Sequence, residues 1–266
     1  MFIKNKKAFS LIELLVVISI IALLLSVLMP VLSVARSQGR AVICRFNLHQ
    51  LVLANTGYAT ENNGFYVPAA SDMWLDVGLL RGGFHRWHGV RKKANEPFNP
   101  LKGPLVKYLA DGKVKECPEK NNFVKDKKSF EQGCGGYGYN GVYIGSQQWR
   151  SGLAGQQAYE CTTRLTDVAS PAETIMFTDC AMARADEGAP YYLEYSFAEP
   201  PLNDWGYAWP SIHFRHRGRA NVGWVDGHIS SEVMNDFNIV IYDGINSSDV
   251  MLGWFGPLDN TLFDLK

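Results

Sequence analysis

The sequence lacks a surplus of either charge. Lys and Arg together number 26, as do Asp and Glu, so the formal net charge is zero. Proteins that bind nucleic acid through its phosphates usually carry a basic excess on one surface. We therefore expect no nucleic-acid partner.

The motifs of several enzyme classes are also missing. The sequence contains no G-x-S-x-G nucleophile elbow, no phosphate-binding P-loop and no H-E-x-x-H zinc motif. It has five cysteines but no C-x-x-C pair, the spacing used by zinc ribbons and thioredoxin-like sites. These absences favour a protein that is not an enzyme.

A long apolar run is present near the N-terminus. It extends from Phe9 to Met29, and its only acidic residue is Glu13. A helix of about 20 apolar residues spans the ~30 Å hydrocarbon core of a bilayer. An ionisable residue in such a segment is costly, so Glu13 indicates a function and requires a partner.

The flanks of this run predict its orientation. Lys4, Lys6 and Lys7 precede it without any acidic residue. By the positive-inside rule, the N-terminus stays in the cytoplasm and the chain after Pro30 is exported. A cleaved secretory signal fits poorly, because the apolar run is too long and Leu28-Met29-Pro30 offers no small-x-small cleavage site.

Residues 8–18, AFSLIELLVVI, resemble the N-terminal signature of type IV pilins and type II secretion pseudopilins. The resemblance implies that a prepilin peptidase/methyltransferase cuts between Ala8 and Phe9 and methylates the new amine of Phe9. Ala8 stands where the family prefers Gly. Glu13 would neutralise the amine of a neighbouring subunit, and Pro30 matches the helix-loosening proline of pilins. A buried charge of this kind is tolerable when it is paired.

The helix is predicted to continue beyond the membrane segment, from about Ser10 to Thr60. Small or apolar residues recur at steps of three and four, which is typical of one helical face. Asn62-Asn63-Gly64 is a stop signal. The residues of this stripe are Ala41, Cys44, Leu48, Leu51, Ala54 and Tyr58.

The remainder is rich in Gly and Pro and predicts short strands. We expect an α+β, pilin-like fold in which the long helix, transmembrane in its first half, packs on a C-terminal antiparallel β-sheet domain. The expected strands are 138–144, 174–178, 220–225 and 228–233, and residues 84–100 and 147–157 are expected to be long loops. The expected domains are a leader (1–8), a transmembrane and filament-core helix (9–30), its amphipathic continuation (31–61) and a β-rich globular domain (62–266).

A second resemblance lies at 213–233. His216 is followed after nine residues by Asp226-Gly227, a pattern that resembles the H-x9-DG domain found after prepilin N-termini in Planctomycetes, Verrucomicrobia and Lentisphaerae. Asp-Gly between two strands favours a type I′ hairpin turn, so a scaffold role is the favoured interpretation. A metal or ligand site using His216, Asp226 or His228 is the alternative.

Other metal sites can be drawn from the sequence. His85-x-x-His88 and His213-x-x-His216 could form a zinc site with Asp226, although this spacing is common by chance. Asp243, Asn246 and Asp249 offer oxygen ligands for Ca²⁺, but a plain turn rich in Asn and Asp is the favoured interpretation. The sequence establishes no cofactor.

The cysteines allow disulfides after export, where an oxidising compartment preserves them. Because their number is odd, at least one is free or bonded to another chain, and the pairing of the others stays open. The cysteines are Cys44, Cys117, Cys134, Cys161 and Cys180.

Together these observations predict a structural pilin-like subunit of a pseudopilus or type IV pilus-like filament. Its expected partners are the prepilin peptidase, other pilin-like subunits and the assembly platform of a secretion or pilus system. It would cross the inner membrane once, with the C-terminal domain periplasmic or extracellular. The alternatives are a membrane-tethered module that binds polysaccharide or protein through exposed Trp side chains and, less favoured, a tethered metalloenzyme.

Overall fold

The structure is a computed structural model that describes residues 11–73, 83–93, 96–120, 123–124, 131–148, 156–186, 189–203 and 206–266. The expected processing residues Ala8 and Phe9 lie outside the described residues. The chain divides into two compact units, Met1–Gly39 and Arg40–Lys266.

The N-terminal helix α1 extends over Leu11–Glu61 and includes Pro30, which confirms the predicted long helix. It ends as the Asn-Asn-Gly signal predicts. Asn63 and Gly64 both adopt positive φ, and the amide of Gly64 donates a hydrogen bond to the carbonyl of Ala59. A left-handed residue after the last turn is the usual way in which a helix satisfies its final carbonyls.

In the first unit, α1 is apolar on every side. All residues from 11 to 36 are exposed, and most of them are large aliphatic side chains. By length and composition, this is the one helix of the described chain that could cross a membrane. An all-round apolar surface requires either lipid or other helices as its surroundings.

In the second unit, α1 has two different faces. Cys44, Leu48 and Leu51 are buried in the main hydrophobic core, which confirms the predicted amphipathic stripe. Phe46 and Leu53 on another face are about half exposed, at 58% and 49%.

The described residues of the second unit form a four-stranded antiparallel sheet and four two-stranded ones. The large sheet has the order β11-β10-β4-β3, and the small ones pair β1 with β2, β5 with β6, β7 with β8 and β9 with β12. The strands are β1 His85–Arg86, β2 Gly89–Val90, β3 Tyr137–Tyr139, β4 Ile175–Asp179, β5 Met182–Asp186, β6 Ala189–Leu193, β7 Leu202–Asn203, β8 Gly206–Tyr207, β9 Ile212–His213, β10 Arg219–Trp224, β11 Ile229–Val233 and β12 Leu252–Gly253.

Short helical elements connect these strands. One is the α-helix α2, and the others are single 3-10 turns. They are α2 Gln156–Glu160 and the 3-10 turns Pro100–Lys102, Val106–Tyr108, Leu165–Asp167, Tyr242–Gly244 and Ser248–Val250.

The large sheet separates two hydrophobic clusters. Val222 and Trp224 of β10 belong to one cluster, whereas the next residue, Val225, belongs to the cluster around α1. Gly223 faces α1 so closely that a Cβ atom there would lie 2.8 Å from Cγ2 of Val52. Successive residues at this end of β10 therefore face opposite sides of the sheet.

The predicted type I′ turn at Asp226-Gly227 is wrong. Gly227 has φ of 100°, but Asp226 is not among the residues with positive φ. The amide of Gly227 donates to the carbonyl of Trp224, and the amide of Trp224 donates to that of His228. These bonds make a three-residue hairpin loop that ends in a left-handed glycine, for which only one position needs positive φ.

A turn with two positive φ angles occurs nine residues earlier. Arg217 and Gly218 have φ of 57° and 78°, and His216 and Arg219 exchange both backbone hydrogen bonds. This is the pattern of a type I′ turn. It leads directly into β10.

Three further expectations differ from the structure. The strand expected at 138–144 ends at Tyr139, because the side-chain amide of Asn140 bonds to the carbonyls of Ile175 and Phe263 and the chain turns there. The loop expected at 84–100 contains the hairpin of β1 and β2. The loop expected at 147–157 lies partly outside the described residues, and its end belongs to α2.

Candidate functional site

The N-terminal assembly residues can be placed only in part. Glu13 lies in the first turn of α1 and is exposed, and Pro30 is an exposed residue inside that helix. Phe9, whose amine is the expected partner of Glu13, is outside the described residues. The pairing of Glu13 with Phe9 therefore stays a prediction.

A buried cluster of polar side chains lies in the second unit. It consists of Cys44, Cys117, Asp179 and His216, all of them buried, and one potential ligand atom from each lies within 4.8 Å of the others. The sequence pattern indicates His216 as a potential metal ligand. It does not indicate that Cys44, Cys117 and Asp179 lie next to it.

Four different segments supply these side chains. Cys44 is on the buried face of α1, and Asp179 is the last residue of β4. His216 begins the type I′ turn before β10. Cys117 is in an irregular segment, where its amide donates to the carbonyl of Gly135.

The distances inside the cluster are short. The Nε2 atom of His216 lies 3.2 Å from Oδ2 of Asp179 and 3.5 Å from Sγ of Cys117. The thiol of Cys44 donates to Oδ1 of Asp179 over 3.1 Å. The imidazole of His216 thus presents Nε2 to both a sulfur and a carboxylate.

Arg215 supports the cluster from one side, with its side chain 4% exposed. Its Nη2 donates to Oδ1 of Asp179 over 2.6 Å, and its Nε donates to Sγ of Cys117 over 3.3 Å. The amide of Asn221 donates to Oδ2 of the same carboxylate over 2.7 Å. Asp179 is therefore held in place through both of its oxygens.

These contacts shift the pKa values in the cluster. Burial alone would raise the pKa of Asp179, but Arg215, His216 and the Asn221 amide outweigh it and lower that pKa to about 2. Burial raises the pKa of Cys44, whereas hydrogen bonding from Cys44 and the charge of Arg215 lower that of Cys117. The cluster thus favours a carboxylate at Asp179 and a thiolate at Cys117.

The other residues of the expected metal sites lie elsewhere. Asp226 and His228 are exposed in the loop that follows β10, at the opposite end of that strand from His216, and bond to each other, Nδ1 to Oδ1, over 2.6 Å. His88 is buried 3.7 Å from Glu131, and His213 stacks on the ring of Tyr192. The structure brings none of these four into the His216 cluster.

The residues expected to bind calcium are engaged with protein groups. Oδ2 of Asp243 accepts hydrogen bonds from Nε of Arg184 and from the amide of Ala185. The side-chain amide of Asn246 donates to Asp249 over 3.3 Å. Calcium binding here stays a prediction.

No disulfide joins the five cysteines in the structure, so their pairing stays a prediction. Cys161 is exposed, whereas Cys134 and Cys180 are buried outside the four-residue cluster. The Sγ atoms of Cys44 and Cys117 both belong to the four-residue cluster and lie within 4.8 Å of each other.

A separate cavity of about 430 Å³ opens beside β5 and β8. Its lining includes Tyr207 and Trp209, each about half exposed, and the carboxyl of Glu199. The hydroxyl of Tyr195 donates to Glu199 over 2.7 Å, and burial raises the pKa of this carboxyl. Apolar walls with a few convergent polar groups are typical of small-ligand sites.

Comparison with known proteins identifies one region of the chain. Residues 3–29 match the family model described as the prokaryotic N-terminal methylation motif. No curated protein and no solved structure matched the chain. The matched motif and the apolar helix support a type IV pilin-like, membrane-anchored protein that crosses the membrane once and is processed by a prepilin peptidase.

Proposed function

We propose that this protein is a structural subunit of a pseudopilus or type IV pilus-like filament. A prepilin peptidase cuts between Ala8 and Phe9 and methylates the amine of Phe9. The observation that carries the proposal is the methylation motif at residues 3–29, followed by a helix whose residues 11–36 are all exposed and largely apolar. Such a helix fits lipid before assembly and the core of a filament afterwards.

The second part of α1 supports packing against other subunits. Val42, Phe46 and Leu53 lie at steps of four and seven residues and are about half exposed, at 54%, 58% and 49%. Residues at these steps share one face of a helix. An exposed apolar helical face of this kind suits packing against the helices of neighbouring subunits in a filament.

Glu13 provides the electrostatic link in this proposal. Its carboxylate pairs with the methylated amine of Phe9 on a neighbouring subunit, so that both charges are neutralised inside the apolar core. Removing one partner of a buried ion pair costs about 3–5 kcal/mol, because it leaves the other charge without compensation. Assembly should therefore depend on Glu13, whereas membrane insertion and cleavage should not.

The experiment compares Glu13→Ala and Glu13→Gln with the unmodified chain in the native host. Both variants should insert and be cleaved, yet the sheared-filament fraction should contain at least about tenfold less of them, as the loss of a pair worth more than 1.4 kcal/mol predicts. Glu173→Gln, which changes an exposed glutamate of the second unit, is the control and should assemble normally. Normal assembly of both Glu13 variants would refute the pairing.

A second candidate function rests on the cavity beside β5 and β8. Exposed aromatic rings next to a partly buried carboxyl suit the apolar face and hydroxyl groups of a sugar, so we also propose polysaccharide recognition by an exported, membrane-tethered module. A glycan array probed with the detergent-solubilised full chain tests it.

Trp209→Ala should abolish glycan binding if the cavity is the binding site. Leu101→Ala, which truncates another exposed side chain (63% exposed) outside the cavity, should leave binding unchanged. No binding by the unmodified chain, or equal binding by both variants, would remove this candidate.

A further inference from the structure

We propose that Cys44, Cys117, Asp179 and His216 bind one structural zinc ion through two thiolates, one carboxylate and one imidazole. The donor set is the first reason. Zn²⁺ binds Cys sulfur, His nitrogen and carboxylate oxygen, and its structural sites use four protein ligands in a tetrahedron. The proposal concerns the folding of the second unit and is independent of filament assembly.

The geometry is the second reason. Zinc bonds are about 2.3 Å to sulfur and about 2.0–2.1 Å to nitrogen or oxygen, so a tetrahedral site separates S from N by about 3.6 Å and N from O by about 3.3 Å. The corresponding separations are 3.5 Å between Cys117 Sγ and His216 Nε2, and 3.2 Å between His216 Nε2 and Asp179 Oδ2. These two separations match those of a tetrahedral zinc site, and the Cys44 sulfur lies within 4.8 Å of the same atoms.

The charges are the third reason. Two thiolates and one carboxylate carry three negative charges, which Zn²⁺ and the guanidinium of Arg215 balance. In the bound state both cysteines are thiolates and the imidazole of His216 is neutral, so zinc binding releases two protons from these three groups together. Asp179 is already a carboxylate and releases no proton. The site can therefore be loaded without leaving a net buried charge.

The surroundings of the ligands fit the same conclusion. Arg215 and the amide of Asn221 orient Asp179, and Arg215 also donates to the sulfur of Cys117. Hydrogen bonds of this kind fix ligand orientation in metal sites. Because all four ligands are buried protein groups, no coordination position is left for substrate, which makes the ion structural rather than catalytic.

The site would join segments that are far apart in sequence. Cys44 lies on α1 and Asp179 on β4, 135 residues later, and His216 precedes β10. A metal that links them would hold the second part of α1 on the sheet. The competing state is a disulfide between Cys44 and Cys117, which would consume both thiolates and exclude zinc.

The test measures the metal content of the full chain purified in detergent without chelators. Inductively coupled plasma mass spectrometry should find about one zinc per chain, as a four-ligand site implies. Cobalt loading should give thiolate-to-cobalt charge-transfer bands and the intense visible bands of tetrahedral Co²⁺. Removal of the ion with a chelator should lower the midpoint of thermal unfolding.

Two ligand variants and two controls sharpen the result. Cys117→Ser and His216→Gln should lose zinc, whereas Cys134→Ser, which alters an equally buried cysteine, and Cys161→Ser should retain it. If a ligand variant does not fold, the cobalt spectrum of the unmodified chain shows whether thiolates bind the metal. A metal-free chain with a Cys44–Cys117 disulfide, a chain without cobalt–thiolate bands, or full zinc content in Cys117→Ser would overturn the proposal.

Discussion

Two buried ion pairs of the second unit show how specific neighbours balance buried charges. Glu131 and Arg86 have fully buried side chains, and Nε of Arg86 lies 2.9 Å from Oε2 of the glutamate. Ser196 donates to the same oxygen over 2.6 Å. Lys120 pairs with Glu194 in a similarly buried position. Such pairs contribute little net stability when intact, but they are costly to break.

Glu131 yields a prediction about the pH dependence of stability. Burial alone would raise its pKa, but Arg86 and His88 outweigh burial and hold the pKa below its usual value. A carboxyl whose pKa is lower in the folded state stabilises the fold above its unfolded pKa of about 4.3 and loses this contribution as the pH falls through the folded pKa. The free energy of unfolding should therefore decrease in acid.

Glu131→Gln should lower the free energy of unfolding at neutral pH and weaken its dependence on pH. At pH 7 its free energy of unfolding should be about 3 kcal/mol smaller, because Arg86 loses its principal charged partner. Below about pH 4.3, the free energy of unfolding of the variant should decrease less steeply with falling pH than that of the unmodified chain. Denaturant titrations over pH 3–7 measure this, with Glu173→Gln as the exposed control. Parallel pH curves for the unmodified chain and Glu131→Gln would contradict the account.

Among the elements, the contact of α1 with β10 is the most sharply defined. Gly223 brings the strand so close to the helix that any side chain would meet Val52 at 2.8 Å. Substitution with alanine must displace the helix or the valine, and overpacking of this kind costs about 1–3 kcal/mol. Gly223→Ala should lower the free energy of unfolding by that amount.

A double-mutant cycle isolates the contact. Val52→Ala removes the colliding methyl groups, so Gly223→Ala should cost about 1 kcal/mol less in the Val52→Ala background than alone. Gly39→Ala, at a helical glycine with no neighbour within 4 Å, is the control and should not destabilise the chain. Additive effects of the two core substitutions would show that the helix does not press on Gly223.

The elements also show what the sequence could predict. The bounds of α1 and its buried face followed from apolar periodicity and the Asn-Asn-Gly stop, both of which are local signals. The type I′ turn was assigned to Asp226-Gly227 because that pair has the stronger turn propensity, yet the structure uses Arg217-Gly218. Turn type depends on the register of the whole hairpin, which local propensity does not report.

The buried cluster could not be predicted from sequence patterns. Cys44, Cys117, Asp179 and His216 come from four segments without any motif spacing, and only the packing of α1 on the sheet brings them together. Spacing instead suggested Asp226 and His228 as companions of His216, and both lie in an exposed loop. A metal site can be predicted from sequence spacing when its ligands lie in one short segment. The four residues of this cluster lie in four separate segments.

At the scale of the whole molecule, the chain combines an apolar helical unit with a compact sheet-containing unit. The first carries the methylation motif, and the second contains both the polar cluster and the cavity beside β5 and β8. This division matches the proposed function, since one part would assemble and the other would be displayed outside the membrane. The proposal depends on cleavage before Phe9, which frees the amine that Glu13 requires.

The most direct test is the intact mass and N-terminal sequence of the protein extracted from membranes of its host. The account predicts a chain that starts at Phe9 and carries one additional methyl group on its amine. A chain that starts at Met1 would contradict it, because the nitrogen of Phe9 would then be a peptide amide, Glu13 would lack its proposed partner, and the helix would remain a permanent anchor.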